Sequence, residues 1–343
     1  MADRAGRAGE LWGSAANAFG VTRSVLIPFE AGVDAVAFAR RASDRGYDGV
    51  WAGELWGRDA FVTLADIARE VDIGVGTAIA NVYSRTPAAL AQAAASVAER
   101  TDERVVLGLG TSTRKAIEDL HGVAFANPPR RLHETAALAG RFLRSDDRVS
   151  YDGEVFSVSD FPGLSTTVPV YTAALGPATR RATGRVADGW LPHNIPFAAL
   201  GEAFETIAKT ARERGRDPDD IAVAPYVPAA VSDDPTEARD AVRGHLAYYV
   251  GSGEGYERAV ASEFPDAAAA VAAAWRDGER EAAKAAVTDD MVDALGVAGT
   301  PADARERFRE VAATPVVDEP IVVVPSNAPD LAEATVDALA PKR

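Results

Sequence analysis

The stretch TAALGPATRRATGRVADGWLPHN, residues 172–194, decides the fold of this chain. It joins the end of an apolar run, a Gly176-Pro177 turn, a short helical segment and the start of another apolar run. Proline suits the first turn of a helix, where its missing N–H would have no partner, so we expect the helix to begin at Pro177. The free amides of that turn form an anion site. In parallel α/β proteins, such a site beyond the carboxyl end of a strand holds a phosphate.

The alternation of apolar strand and helix continues along almost the whole chain. Eight runs predict strands, at 24–29, 48–51, 73–79, 105–109, 168–174, 189–192, 221–227 and 321–324. Most are continuously apolar, which is typical of strands covered on both faces in a parallel sheet. Eight strand–helix units in 343 residues predict an α/β fold, a TIM (β/α)8 barrel. We expect an N-terminal extension over 1–22 and a single barrel over 23–343.

Two segments interrupt this alternation. Residues 149–158 alternate in polarity and turn at Asp152-Gly153, which predicts a β-hairpin. Residues 232–319, which follow the seventh strand, are alanine-rich and predict a helical insertion. Such an insertion either covers the mouth of the barrel as a lid or serves as an oligomerisation element, and the residues leave both options open.

The composition limits the classes of partner. The formal net charge is -15, which disfavours nucleic acid as a partner, and only four of the 36 basic residues are lysines. Such a surface is typical of halophilic proteins, because molar salt screens charges within about 3 Å. The alternative is an acidic protein with an arginine-rich composition. The absence of cysteine excludes disulfides, thiolate nucleophiles and Cys-type zinc sites, and no other residues have metal-ligand spacing.

The sequence also predicts where the protein acts. It contains no apolar stretch long enough to span a bilayer, and its first residues lack the apolar core of a signal peptide. We therefore expect a cytoplasmic protein that acts on a small molecule, without membrane partners.

In a TIM barrel the loops after the strands build the active site. These loops contain few nucleophiles or bases, but many glycines and small side chains, which suits a large flat cofactor that carries the difficult chemistry. The candidate cofactor-binding residues in these loops are Asn81, Gly110, Thr111, Ala174, Leu175, Gly176, Pro177, Ala178, Thr179 and His193. For His193, a structural contact is the alternative role.

Glu30 and Glu54 are the candidate catalytic residues, because each follows an early strand. A carboxyl group partly shielded from water at this edge can donate a proton. The alternative for either is a salt bridge to Arg58 or Arg85.

Four segments together resemble the luciferase-like flavin and deazaflavin oxidoreductases. They are GVGTAIANVYSRTPAALAQAAASV (74–97), RVVLGLGTS (104–112), YDGEVF (151–156) and AALGPATRRATGRVADG (173–189). The resemblance is strongest to the coenzyme F420-dependent branch, and within it to methylenetetrahydromethanopterin reductases, to which VAGTPADARERFREVA (297–312) is similar.

The resemblance implies an enzyme that transfers a hydride between F420 and an organic substrate, with a methylene-tetrahydropterin or folate favoured. It implies that the deazaflavin lies against strands three to five with its phosphate at residues 176–179. It also implies a non-proline cis peptide at Ala78–Ile79, next to the deazaflavin ring. A dimer or tetramer is expected. An FMN-dependent monooxygenase and a non-catalytic deazaflavin-binding protein are the alternatives.

The chain departs from the family at several positions. Pro28 stands where the reductases have a glutamate, and Glu30 is two residues further on. Leu55 and Thr113 stand where F420-dependent sugar-phosphate and alcohol dehydrogenases have a histidine and a glutamate. These differences argue against both dehydrogenase activities.

Overall fold

The computed structural model describes residues 22–28, 33–55 and 57–341. The expected N-terminal extension therefore lies outside the described residues, apart from Thr22. The strands are β1 (Ser24–Leu26), β2 (Gly49–Ala52), β3 (Gly74–Thr77), β4 (Ala80–Asn81), β5 (Val105–Gly110), β6 (Arg148–Asp152), β7 (Ser157–Pro162), β8 (Val170–Thr172), β9 (Gly189–Trp190), β10 (Ala222–Val223), β11 (Tyr226–Val231), β12 (Val297–Gly299) and β13 (Ile321–Val323).

The helices lie between these strands and after the last one. They are α1 (Ala35–Asp44), α2 (Ala60–Glu70), α3 (Pro87–Ala98), α4 (Pro128–Arg144), α5 (Pro177–Val186), α6 (Leu200–Glu213), α7 (Pro235–Ser252), α8 (Glu254–Ala261), α9 (Pro265–Arg276), α10 (Arg280–Ala285), α11 (Asp289–Leu295), α12 (Pro301–Ala312) and α13 (Ala332–Ala338).

The main sheet is parallel and curled. Its strands follow the order β10-β9-β8-β5-β3-β2-β1-β13-β11-β12, with β4 also paired to β5. Each of the eight predicted runs contributes a strand to this sheet, which confirms the α/β class. Because the strands are parallel, their carboxyl ends, and the loops that follow them, share one edge of the sheet.

The curled sheet separates two apolar cores, as the period-2 alternation of side chains requires. Val50, Val75 and Leu107 point outward and pack with helical residues such as Leu64 and Leu90. Neighbouring strand residues point to the other face and form an inner core without helical side chains. This inner core includes Leu26, Trp51, Val106, Tyr171, Leu191 and Ile321.

Local signals place the start of α3 correctly. Thr86 accepts a hydrogen bond from Ala89 N and Pro87 is the first helical residue, as the sequence predicts for α3. Asp34 and Asp59 cap α1 and α2 in the same way. Within the described part of the chain, none of the helices has the combination of length and apolar character that crossing a bilayer requires.

The predicted hairpin is formed by β6 and β7, with a longer connection than the two-residue turn implies. The buried Glu134 carboxylate on α4 accepts hydrogen bonds from the backbone N–H groups of Glu154, Val155 and Phe156. Burial favours the neutral form of Glu134, but these three donors and Arg130 outweigh it and lower its pKa below 4.5. The carboxylate thus fixes the hairpin connection to the outer layer of helices.

The segment between β11 and β13 contains helices α7 to α12, but it also contributes strand β12, which pairs with β11. The sequence analysis did not predict this strand. Its three residues, Val297–Gly299, are too few to show a clear period.

Candidate active site

The backbone at the end of β3 approaches β5 closely. The Thr77 hydroxyl donates to Gly108 O over 2.7 Å and accepts from Gly108 N at 2.8 Å. A Cβ on Gly108 would lie 1.9 Å from Thr77 O, so glycine is required there. Beyond Thr77, the Ala78–Ile79 peptide bond is cis, as the resemblance implies.

This backbone segment brings together the predicted residues Ile79 and Gly110 and also Ala173, which the sequence analysis did not name as a site residue. A Cβ on Gly110 would lie 2.8 Å from Ile79 Cγ1 and 3.4 Å from Ala173 Cβ. Ile79 is half-buried, whereas Ala78 is buried. The missing side chain at Gly110 therefore lets Ile79 pack closely against the ends of β5 and β8 at the carboxyl edge.

Helix α5 begins at Pro177, as predicted, and no side chain caps it. Gly176, Pro177 and Ala178 are exposed, and a Cβ on Gly176 would meet nothing within 4 Å. The Thr179 hydroxyl donates to Gly176 O over 2.9 Å and so fixes the first turn. The helix start is therefore open toward solvent, with its positive dipole end accessible to an anion.

The other candidates after β5 and β8 are partly used by the fold. Ala174 is buried, and its carbonyl oxygen accepts a hydrogen bond of 2.8 Å from Trp190 Nε1. Thr111 is half-buried and its hydroxyl donates to Ser112 O over 3.3 Å. Leu175 is half-buried. It lies beside α8, because a Cβ added to Gly255 of that helix would be 3.5 Å from Leu175 Cδ1.

Glu54 lines a cavity of about 270 Å³ at the carboxyl edge. Its Oε2 pairs with Arg85 Nη1 at 2.5 Å and its Oε1 accepts from Ala60 N at 3.3 Å. Arg85 also pairs with Asp59, the cap of α2. The alternative of a salt bridge to Arg85 therefore describes Glu54 in the structure. Both oxygens of the Glu54 carboxyl group therefore have partners within the protein.

Asn81 lies in the same region, where it orders a turn. Its Oδ1 accepts from Tyr83 N at 3.0 Å and Ser84 N at 2.8 Å, and its Nδ2 lies 3.4 Å from His121 Nε2. Ser84 and His121 line the cavity with Glu54. Glu30, the second catalytic candidate, lies outside the described residues.

His193 is buried among aromatic rings, so the candidate cofactor loops are not its only neighbours. Its Nε2 lies 3.1 Å from His245 Nε2, so one imidazole donates to the other. Its ring meets those of Tyr226, Tyr249 and Tyr256 edge-on, at centroid distances of 4.9, 4.3 and 5.5 Å. His245, Tyr249 and Tyr256 belong to α7 and α8, so these helices cover the loop after β9.

All of these groups are neutral near pH 7. Burial lowers the pKa of His193 well below 6.5, and the neighbouring His245 lowers it further. Burial lowers the pKa of His245 to about 3. For the tyrosines the sign is opposite, and burial raises the pKa of Tyr256 to about 12.

The histidine pair makes stability depend on pH. Both histidines bind protons more weakly in the folded state than in the unfolded state, so their contribution is complete above about pH 6.5 and is lost as the pH falls toward 3. In His245→Gln, we expect the slope of unfolding free energy against pH to fall by about 1.4 kcal/mol per pH unit between pH 6 and 4. Denaturant unfolding across this range measures it. His121→Gln, at an exposed position, should keep the wild-type slope, and an unchanged slope in His245→Gln would contradict the assignment.

A second buried polar network lies at the opposite, amino-terminal edge. Glu319 precedes β13 and accepts from the Ser24 hydroxyl at 2.6 Å and Trp51 Nε1 at 3.2 Å. Arg104 Nη1 lies 3.4 Å from its other oxygen. Burial raises the pKa of Glu319 to about 7, although Arg104 opposes the shift. Its place away from the carboxyl edge indicates a structural role.

Sequence reasoning missed the partners of His193. The only signal was the spacing of His245 and Tyr249, which lie about one helical turn apart on α7. No local pattern connects them to His193, which is 52 residues away from His245.

A curled parallel sheet with an open helix start and glycines at its carboxyl edge is typical of α/β proteins that bind phosphorylated cofactors. The model of the luciferase-like monooxygenase family matches residues 17–318, and the chain belongs to this family. The predicted family resemblance is therefore confirmed.

Several relatives carry the names of oxidoreductases. The chain is 29% identical over 291 residues to 5,10-methylenetetrahydromethanopterin reductase of Methanolobus tindarius, covering 83% of this chain and 89% of the reductase. It is 34% identical over 225 residues to the F420-dependent hydroxymycolic acid dehydrogenase of Mycobacterium tuberculosis, covering 60% of this chain and 61% of that enzyme. Among solved structures, the coenzyme F420-dependent tetrahydromethanopterin reductase of Methanopyrus kandleri superposes with a TM-score of 0.79 at 21% identity, covering 93% of this chain and 97% of that one.

Proposed function

We propose that this chain is a coenzyme F420-dependent oxidoreductase that transfers a hydride between the deazaflavin and an organic substrate. Its relatives carry out F420-dependent reactions, and the observation that carries the proposal is the meeting of Ile79, Gly110 and Ala173 at the carboxyl edge. When bound, F420 supplies the hydride chemistry. The chain's own residues bind and orient it.

The residues fit the two parts of such a cofactor. The uncapped start of α5, with open space in front of Gly176, would hold the phosphate. The cis Ala78–Ile79 segment, with Gly110 and Ala173 beside it, would form one wall for the flat ring system. Thr111 and Leu175 would border this wall. The residues of this wall are uncharged, so the wall would exclude water from the reacting face of the ring.

Two further proposals about the fold agree with this position of the cofactor. We propose that the sheet is a complete TIM barrel, closed at its seventh strand, where only Ala224 and Pro225 separate β10 from β11. β10 pairs with β9 and β11 with β13, and Tyr226 N donates to Pro192 O over 2.9 Å. We further propose that helices α7 to α11 form an insertion that covers the mouth.

A methylene-tetrahydropterin or folate is the proposed substrate class, because the relative of 29% identity is a methylenetetrahydromethanopterin reductase. We also propose a cytoplasmic homo-oligomer. The acidic surface supports a salt-adapted protein, which a measurement of stability across salt concentrations would test.

The direct experiment is binding and turnover. The purified protein should bind F420. With reduced F420 it should reduce a methylene-tetrahydropterin or methylene-tetrahydrofolate, and the absorbance of the oxidised F420 that forms measures this reaction. Co-purification with FMN and oxygen consumption with reduced FMN would support the monooxygenase alternative instead. F420 binding without turnover on a broad substrate panel would support a non-catalytic binding protein.

Glu54 provides the first test of a catalytic role. We expect Glu54→Gln to lower kcat at least tenfold, because it removes a negative charge paired with Arg85 at the edge of the cavity, while the Kd for F420 stays within threefold. Steady-state kinetics and a binding titration measure both. Glu70→Gln breaks an exposed ion pair between Glu70 at the end of α2 and Arg40 on α1, and it should leave kcat unchanged. Equal kcat values in the two variants would exclude Glu54 from the reaction.

A further inference from the structure

The cavity beside Glu54 is lined by polar side chains, and the proposed function so far gives a catalytic role to Glu54 alone. We call it the Glu54 cavity, and its polar side chains are Glu54, Arg58, Asp59, Ser84, Arg85 and His121. Its volume of about 270 Å³ lies below the roughly 300–1,000 Å³ that is usual for pockets that enclose a whole ligand. The cavity therefore has the size to hold one substituent of a substrate.

The Glu54 cavity adjoins the proposed wall for the deazaflavin ring. Glu54 N donates to Ile79 O over 3.1 Å, which joins the loop after β2 to the cis Ala78–Ile79 segment. Two residues after Ile79, Asn81 Oδ1 accepts from Ser84 N at 2.8 Å and so holds Ser84 at the cavity. A substrate that lies against this wall therefore has the cavity next to it.

Each carboxylate oxygen in the cavity already has a hydrogen-bond partner. Glu54 accepts from Arg85 Nη1 and from Ala60 N. One oxygen of Asp59 accepts from Arg85 Nη2, and the other accepts from two backbone N–H groups in the first turn of α2. Arg85 offsets the charge of Glu54, and the positive end of the α2 dipole reduces the effect of the charge on Asp59. The two acids are therefore largely compensated by groups of the protein itself.

The hydrogen-bond donors of the cavity, by contrast, have spare capacity. Arg58 is exposed, and within the described part of the chain its guanidinium makes one hydrogen bond, 3.4 Å long, to Val33 O. The Ser84 hydroxyl has no hydrogen-bond partner among the residues that the structure describes. A guanidinium carries five N–H donors and a hydroxyl carries one, so most of these donors are available to a ligand.

His121 supplies a third donor, and Asn81 decides which ring nitrogen carries the proton. Asn81 Oδ1 already accepts from two backbone N–H groups, so the orientation of this amide is fixed. Its Nδ2 therefore faces His121 Nε2, 3.4 Å away, as a donor. A neutral imidazole that accepts at Nε2 carries its proton on Nδ1. The Nδ1–H group is thus the remaining polar group of the His121 ring.

We propose that the Glu54 cavity binds a carboxylate substituent of the substrate, with Arg58 as the counter-charge and the Ser84 hydroxyl and His121 Nδ1–H as further donors. This inference rests on the proposed function, because it places the substituent beside the wall for the F420 ring. The planar fork of a guanidinium matches the two oxygens of a carboxylate.

The charge of the Glu54 cavity also selects among anions. Of the two guanidinium groups that the described residues bring to it, Arg85 is already paired with two acids. Arg58 therefore supplies a single positive charge, which matches the single charge of a carboxylate. A doubly charged phosphate would keep one negative charge without a partner, next to Glu54 and Asp59.

The test is a calorimetric titration of the full-length protein loaded with F420, using three probes that share one ring. They are benzoate, which is a monoanion, benzamide, which is its uncharged counterpart, and phenyl phosphate, which is a dianion. We expect benzoate to bind about fivefold to tenfold more tightly than either of the others, because it gains a charge-assisted hydrogen bond. In about 1 M salt, which screens charges within about 3 Å, the difference between benzoate and benzamide should shrink.

Variants assign the effect to the donors of the cavity. Arg58→Gln should lower the affinity for benzoate to that for benzamide, while the Kd for F420 stays within about threefold of the wild type. Ser84→Ala and His121→Phe each remove one uncharged donor and should weaken benzoate binding about threefold. Arg69→Gln is the matched control, because Arg69 is exposed in the last turn of α2, at the end opposite the cavity. It removes the same charge and should bind benzoate like the wild type.

Several outcomes would overturn the inference. One is equal affinity for benzoate and benzamide, another is unchanged benzoate binding in Arg58→Gln, and a third is tighter binding of phenyl phosphate than of benzoate. A protein that binds F420 but none of the three probes would also refute it, while leaving the F420-dependent function intact. A protein that does not bind F420 at all refutes the proposed function itself, so the two failures are distinguishable.

Discussion

Gly176→Asp is expected to abolish F420 binding while leaving the protein folded. The position has an extended backbone, φ -84° and ψ 161°, and a Cβ would meet nothing within 4 Å. Aspartate is a favoured N-cap, so its carboxylate would occupy the free amides of the first turn of α5 and stabilise the helix. The same negative charge would repel a phosphate at that turn. At about 4 Å and an effective dielectric constant of about 20, the repulsion is about 4 kcal/mol, so we expect the Kd to rise at least 100-fold.

Two neutral replacements separate charge from geometry. Gly176→Ala leaves the amides free and should keep the Kd for F420 within about threefold of the wild type. Gly176→Asn caps the helix without a negative charge, so it should weaken binding less than aspartate does. Fluorescence titration with F420 measures all three variants, and thermal unfolding confirms that each is folded. Wild-type affinity in Gly176→Asp would place the phosphate elsewhere and remove the main support for the assigned cofactor site.

Gly108→Ala is expected to prevent stable folding. Its Cβ would lie 1.9 Å from Thr77 O and 3.0 Å from Leu191 Cδ1. The first contact is with backbone, which moves only if β3 shifts away from β5 and breaks the two Thr77–Gly108 hydrogen bonds. We expect a loss of about 4 kcal/mol or more, a large part of the 5–15 kcal/mol by which domains are usually stable.

The measurement is the yield of soluble protein together with its denaturant midpoint. Gly201→Ala is the matched control, because Gly201 lies in α6 and a Cβ there meets nothing within 4 Å. Alanine is the better helix former by about 1 kcal/mol, so this variant should be at least as stable as the wild type. If Gly108→Ala unfolded at the wild-type denaturant midpoint, the structure's close approach of Thr77 in β3 to Gly108 in β5 would be incorrect.

Much of the fold was predictable because its signals are local. The apolar runs around Val50, Val106 and Val322 predicted strands of the parallel sheet, since continuous apolar character marks burial on both faces. The Gly176-Pro177 pair predicted the start of α5 from the fixed φ of proline. The extra strand β12 and the break between β10 and β11 escaped prediction, because both arise from pairing with distant strands.

The candidate site was predictable only in part. Position after a strand placed Gly110, Thr111 and the 176–179 turn at the carboxyl edge, since this follows from parallel topology alone. Position after a strand did not reveal whether Glu54 is a free carboxyl group or forms a salt bridge. Its partner Arg85 is 31 residues away and meets it only when the sheet curls. The role of Glu30 stays a prediction.

The order of residues along the chain by itself determined the α/β class, the starts of α3 and α5 and the likeness to the luciferase-like family, because each depends on neighbours a few positions apart. The tertiary structure alone decided which side chains meet. The contact between His193 and His245 spans 52 residues, and that between Arg104 and Glu319 spans 215. Such contacts depend on how far the sheet curls and on how α7 and α8 lie against its edge, and no short stretch of sequence encodes either.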